Sequence, residues 1–539
     1  MVNSLHQFIS RIARDWSRFR NAVAGLVLIS FFLITIDLCR IYNSYSDDVW
    51  KLYVSRLLIT NVARHAFFLV LLYFKKTKKV VVRFLTEPSH PNNLAIFRLV
   101  FFWMLFRPTW ARFIALSTIP EGLRNASWHL PHWFLDYLPI NEAWMATAIT
   151  LFRFFCFLSF IGLFTRPAII LAFIFGFYVL GAPQYLGKLD HYHHLIWFLA
   201  ILSFSRCGDA LSIDALIRAW QQRRNGRTYS PGPSIEYGLP LRFIGLLIGI
   251  IYFFPGFWKI WGGGLEWVST DHLKNVMYFK WMNYPDFTPL FRIDRYPLLL
   301  KISAAMVVTF ELSFVFLILF PRLRPFAILG GLFFHYMNFR FLNISFLSLV
   351  YCYAALIDWQ AIFQRLKRKK LKAVLPATDR SLDVRQQWTW GLAFCGAFLI
   401  FGNIWFGLGN MHSWPLSCYP TFQYVKRDPY TSRITTEIFD SKNNKIEYDT
   451  KKIAGYFSPD RLHEVSLHIA FERDPQKAKA RLEALGKFFL QSYPEITEAA
   501  YFRLYQEDLD MTPENLDRNP VTRKKIYELI LPKQGETHE

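Results

Sequence analysis

Seven stretches of this chain, near residues 22–41, 57–74, 143–164, 167–186, 240–258, 298–320 and 386–408, are apolar over about the 20 residues that a helix needs to cross a bilayer. Such a chain has few folds open to it. In hydrocarbon each backbone N–H and C=O must be satisfied within its own segment, so the runs become helices. Four shorter runs, near 94–108, 192–206, 324–340 and 342–359, raise the expectation to roughly 9–11 membrane segments, with the short ones tilted, broken or re-entrant. The composition agrees, with 53% hydrophobic and 18% aromatic residues in 539.

The net charge of +22 raises the question of nucleic acid, and its placement argues against it. Residues 410–539 hold 19 basic and 20 acidic side chains, leaving 43 basic and 20 acidic ones in the apolar part. The dense basic clusters are Arg11, Arg14, Arg18 and Arg20, then "KKTKKVVVR" from Lys75, Arg223 with Arg224 and Arg227, "PRLRP" from Pro321 and "RLKRKKLK" from Arg365. If every segment crosses, all of them fall on the N-terminal side, which is the cytoplasmic pattern. The expected protein is therefore an integral, multi-pass one with a cytoplasmic N-terminus and the lipid bilayer as its solvent. No small-residue cleavage site follows the first run, so no signal peptide is expected. The six cysteines include no CxxC pair, which disfavours a disulfide framework and a thiolate metal site.

Three regions are expected: N-terminal membrane segments over 1–92, a transmembrane core over 93–408 and an extracytoplasmic α+β domain over 409–539. In the last, "RITTEIFDSKNNKIEYDT" reads as a hairpin around Asn443-Asn444 and "EAAYFRLYQED" as a strand. "DPQKAKARLEALGKFFLQSYPE" has helical spacing between Pro475 and Pro494. The fold class is thus mainly α, a polytopic helical bundle with a C-terminal α+β domain.

Two polar stretches reach the same face of the bundle. "GKLDHYHHLIW" places Lys188, Asp190, His191, His193 and His194 at the start of an apolar run. In "IIYFFPGFWKIWGGG", Lys259 stands at the end of a span. Lysine there has two readings: it snorkels to headgroups between Trp258 and Trp261, or it points inward as a base. The histidines could be metal ligands, but HxHH lacks a second ligand set and no metal is expected. Asp190 beside His191 could fix the imidazole tautomer. His335, Asn338 and Arg340 in "FFHYMNFRF" interrupt a third apolar run.

The order "DHYHHLIWFLAILSFSRCGDALSIDAL", "YFFPGFWKIW", "FELSFVFLILFPRLRPFAILGGLFFHYMNFRFLNISFLS" and "GNMHSWPLSCYPTFQYV" resembles the vitamin K-dependent gamma-carboxylase and its bacterial HTTM-domain relatives. The resemblance implies an enzyme that couples epoxidation of reduced vitamin K, or a related naphthoquinol, by O2 to carboxylation of glutamate in a protein or peptide by CO2. It implies that Lys259 deprotonates the hydroquinone and that His191 stabilises the oxygenated intermediate. Asp190 stands where the family has a polar amide. Asp190, His194, Trp258, His335, Asn338 and Trp414 are the expected substrate- and quinone-binding residues. The alternatives are a quinol-dependent membrane oxidoreductase without carboxylation, and a non-catalytic membrane protein or transporter. A carrier needs a polar path across the bilayer, and no regular series of intramembrane carboxylates supplies one.

Overall fold

The computed structural model describes residues 16–44, 82–124, 139–185, 189–284, 286–366, 383–449, 452–453, 459–515 and 519–531, with scattered positions between 54 and 73. Its main helices are α1 (Trp16–Ser44), α2 (Pro91–Phe106), α3 (Glu142–Ile161), α4 (Thr165–Gly181), α5 (His193–Ser203), α6 (Ile235–Gly263), α7 (His272–Asn283), α8 (Pro297–Leu319), α9 (Arg324–Leu342) and α10 (Asp383–Leu408). Among the described residues six helices are long and apolar enough to cross a membrane, or seven if α2 and the segment ending at Ser117, bent from it by 43°, form one span. The bend falls at Arg107-Pro108, where proline ends one helix and can only start the next. Two of the short runs seen in the sequence are helices too short to cross: α5 has 11 residues, and a second, Leu347–Leu356, has 10. The expected run over 57–74 falls partly outside the described residues.

Helix α6 is the axis of the bundle. It is apolar on all sides, and 78% of its spanning window is buried, against 28% for α8 and 11% for α1. Ser234 starts it by accepting the Glu236 N–H on its Oγ, at 3.0 Å. Two glycines let its neighbours come close. A Cβ on Gly256 would lie 2.8 Å from Glu311 Cβ on α8, and one on Gly407 of α10 would lie 2.1 Å from the Phe254 ring. Near the start of α6 the charges gather: Glu87 binds Arg242 at 3.1 Å and Arg324 at 2.7 Å, and Arg206 binds Glu236 at 2.6 Å. Lys259 lies 17 residues beyond Arg242 along α6, about 25 Å at the helical rise.

The chain ends in an antiparallel sheet of β1 (Tyr430–Asp440), β2 (Lys445–Ile446), β3 (Ala499–Asp510) and β4 (Thr522–Ile530), in the order β2-β1-β3-β4. Two helices, α11 (Pro459–Ala470) and α12 (Pro475–Ser492), lie between β2 and β3 in the chain. Ile434, Ile438, Phe502 and Leu504 form the buried face, and Phe489 of α12 packs on Phe502 with ring centroids 5.1 Å apart. The hairpin turn uses Asn443 at φ 67°, a conformation asparagine tolerates. Asp474 caps α12 by accepting the Gln476 N–H at 3.0 Å, with Pro475 at the first turn. The expected hairpin, helix and strand are all present.

Arg461 of α11 ties this domain to the bundle. Its guanidinium, on a residue only 5% exposed, donates to Pro183 O at 2.9 Å and to the Asp190 carboxylate at 2.9 Å. Removing hydrogen bonds to a charged group typically costs about 1.5–3 kcal/mol. Arg461→Met is therefore expected to lower thermal stability in detergent and to speed amide exchange at Gln184, Tyr185, Leu189 and Asp190. Unchanged exchange there would show that the contact does not hold the domain.

Candidate active site

About three turns after its middle, α6 presents Lys259 to the bundle interior, where the residue is 2% exposed. Its Nζ donates to both oxygens of Glu311 on α8, at 2.5 and 2.6 Å, and Glu311 is itself 4% exposed. Gly256, one turn before Lys259, is what lets the Glu311 backbone come this near. The Trp267 ring lies 5.2 Å from Nζ, offering a π-face to the cation. The snorkelling reading of Lys259 is excluded by this geometry. A buried ammonium and carboxylate hold one another in place, because either alone would be strongly disfavoured.

The pair forms part of the wall of a mostly apolar cavity. Ile251, Val276, Val307, Leu342 and Leu349 make much of the rest apolar. Four imidazoles face the same space: His191 and His194 from the lip, His272 from α7, and His335 from α9, beside Asn338. His335 Nε2 shares a 2.5 Å hydrogen bond with Tyr252 Oη, which is in turn bonded to Tyr353. Tyr419 Oη accepts the His194 N–H at 2.9 Å and lies 2.9 Å from His194 Nδ1. Tyr419 also stacks on His191, with centroids 5.3 Å apart. Among the described residues His194 Nε2 and His335 Nδ1 are buried without a hydrogen-bond partner. The apolar walls can bury an apolar group, and the orphaned nitrogens can hydrogen-bond polar atoms at its edge.

Of the residues expected from the sequence, Lys259, His191, His194, His335 and Asn338 line this one cavity. Three do not. Asp190 gives Oδ2 of its carboxylate to Arg461 and so docks the C-terminal domain. Trp258 donates Nε1 to Gly407 O at 2.7 Å and fastens α6 to α10. Trp414 packs against His193, with centroids 5.2 Å apart, and against Phe177, behind the cavity wall. His193 is turned away as well, its Nε2 bonded to Ser413 O at 2.6 Å. Among the described residues no group of three His, Cys, Asp or Glu side chains is arranged to hold a metal ion.

Sequence reasoning missed Glu311, Tyr252, Tyr419 and His272. A signal for Glu311 was present: "VVTFELSFVF" holds one carboxylate in a continuous apolar run, and such a group calls for a cationic partner. No local pattern marks the other three. His272 opens α7, with its Nδ1 accepting the Lys426 N–H at 2.9 Å. Its pKa is pushed down to about 4 by burial and by the nearby cations Lys259 and Lys426, so the ring is neutral at pH 7.

A family model described as the HTTM domain matches residues 86–362 of the chain. No curated protein and no solved structure gives a significant match.

The buried pair makes a measurable prediction. Glu311→Ala leaves an ammonium alone in the bundle and is expected to lower stability by about 3–5 kcal/mol. The double change Lys259→Met with Glu311→Leu should lose much less than the two single changes, Lys259→Met and Glu311→Leu, added together. Thermal unfolding of these variants in detergent measures the coupling. Additivity to within about 0.5 kcal/mol would mean that the two groups do not interact.

Proposed function

The chain belongs to the HTTM-domain family, whose domain is that of the vitamin K-dependent gamma-carboxylase family, and from that premise we propose that it is an integral-membrane gamma-glutamyl carboxylase-like enzyme. It couples epoxidation of reduced vitamin K, or a related naphthoquinol, by O2 to carboxylation of glutamate in a protein or peptide by CO2. The observation that carries this reading is the Lys259–Glu311 pair in the wall of an apolar cavity that His191, His194 and His335 also line. When bound, the hydroquinone supplies, with oxygen, a base strong enough to remove a γ-proton from glutamate.

The protein's own residues do the rest. Lys259 hands a proton to Glu311 across their 2.5 Å hydrogen bond, and the neutral amine so formed accepts the proton of the hydroquinone hydroxyl. The carboxylate is therefore the internal proton store that readies the amine. Low polarity favours this exchange, because the neutral acid and amine need less solvation than the ion pair. His191, His194 and His335 offer ring nitrogens to the oxygens of the bound ring, and Tyr419 and Tyr252 hold two of those imidazoles in position. The apolar walls exclude water, which would otherwise quench a strong base.

Orientation follows from charge. The basic loops and the Glu87, Arg242 and Arg324 cluster belong to the cytoplasmic end, so Lys259 and the C-terminal domain belong to the extracytoplasmic side. A quinol reaches the site from the bilayer, and a glutamyl peptide reaches it from the side of the soluble domain.

The test uses purified protein in detergent with reduced vitamin K, oxygen, labelled bicarbonate and a glutamyl peptide. Label should enter the peptide, and Lys259→Ala should slow incorporation by at least about 100-fold. Glu311→Gln, which keeps the shape but not the proton store, should lower kcat more than it raises the quinol KM. Epoxide without labelled peptide would instead make the protein a quinol oxidase of the same site. Neither product would leave a non-catalytic membrane protein.

A further inference from the structure

A second cavity adjoins the first on the side of the C-terminal domain. It is lined by polar groups that include the cations Lys426 and Arg433, the carboxylate Glu464, and His463, Thr431 and Ser432. Three residues line both cavities: His272, Val276 and Phe422. Two of these are apolar. His272 is therefore the polar group of the partition between a membrane chamber and a chamber under the soluble domain.

The state of that imidazole can be read from its contacts. Its Nδ1 accepts the Lys426 backbone N–H, so this nitrogen carries no proton. The remaining ring proton of a neutral imidazole then sits on Nε2. Burial and the two neighbouring cations keep the ring neutral. His272 is 0% exposed, and its Nε2 has no hydrogen-bond partner among the described residues. Trp267, which also faces Lys259, packs against the ring at 4.7 Å and holds it in place. A buried N–H donor left unsatisfied is destabilising unless something completes it.

We propose that the His272 Nε2–H is a carboxylate-binding group: it receives the side-chain carboxylate of an acidic peptide residue that enters through the outer chamber and holds it at the partition. The inference rests on the reading of the site given under Proposed function. The outer chamber presents two cationic side chains, Lys426 and Arg433, against one carboxylate, Glu464. Burial lowers the pKa of the Lys426 ammonium, and the nearby Asp428 carboxylate works against that shift. The Lys426 backbone N–H is what fixes the His272 tautomer, so one residue both attracts the anion and sets the donor that receives it. A neutral donor is the better choice here, since a second cation beside Lys259 would oppose the Lys259–Glu311 pair.

Two substitutions separate this role from a structural one. His272→Gln keeps an N–H at the position of Nε2 but loses the acceptor for Lys426. His272→Asn keeps the acceptor and loses the distal donor. Binding is measured by fluorescence anisotropy of a labelled pentapeptide with a central glutamate, and of its glutamine twin, on the intact protein in detergent. The wild type should prefer the glutamate peptide. His272→Asn should weaken its binding by roughly 10- to 100-fold, as expected for a hydrogen bond to a charged group, and His272→Gln by much less. The reverse order, with Asn tolerated and Gln damaging, would show that His272 only anchors Lys426, and would overturn the inference while leaving the proposed function standing. A wild type that binds both peptides equally would overturn the glutamyl substrate itself, and the inference with it.

Discussion

An ammonium and a carboxylate inside a membrane protein must meet or be expelled to water, and the encounter of Lys259 with Glu311 governs much of the architecture around it. Each group would be expensive to bury alone. Together they require two helix backbones to approach closely at one level, and Gly256 supplies the room, since any larger residue would press on Glu311 Cβ from 2.8 Å. The need to bury Lys259 places α6 at the centre of the bundle, and its apolar surface on every side makes that position stable. Stability alone does not account for the pair, because an apolar pair of the same size is often as stable or more so. A buried pair in a cavity wall is better explained by what a proton can do between its members.

The short helix α5 produces the second condition for the site. With 11 residues it covers about half of the hydrocarbon thickness, so its first turn begins inside the protein. The chain after α10 fills the space above it. Trp197 donates Nε1 to Pro415 O at 2.7 Å, His193 bonds Ser413 O, and Tyr419 reaches His194. The same segment continues to Phe422 and Lys426, which shape the partition at His272. One stretch of about 16 residues thus closes the membrane cavity, orients an imidazole and leads into the soluble domain.

Much of this was legible beforehand. Apolar runs gave the helices, and the lip histidines with Lys259, His335 and Asn338 were recognisable because polar groups in apolar surroundings are conspicuous. Glu311 was equally conspicuous in "VVTFELSFVF" and could have been paired with Lys259 by charge alone. Adjacency in sequence suggested His191 as the partner of Asp190 and could not show that its Oδ2 reaches Arg461, 271 residues away. The indoles of Trp258 and Trp414 read as ring-binding surfaces, yet their energy goes into helix packing. His272 and Tyr419 could not be found from spacing, since their roles exist only where α7, the 411–426 segment and the cavity come together.

The proposed chemistry requires a quinone in the cavity beside Lys259 and Glu311. Photolabelling of the protein in lipid nanodiscs with an azido-naphthoquinone, read by mass spectrometry with and without excess vitamin K, tests it directly. Competable labels are expected on α6 between Ile251 and Lys259, on α8 near Val307 and on α9 near His335. Labels confined to the lipid-facing surface of α1, unaffected by vitamin K, would contradict that chemistry.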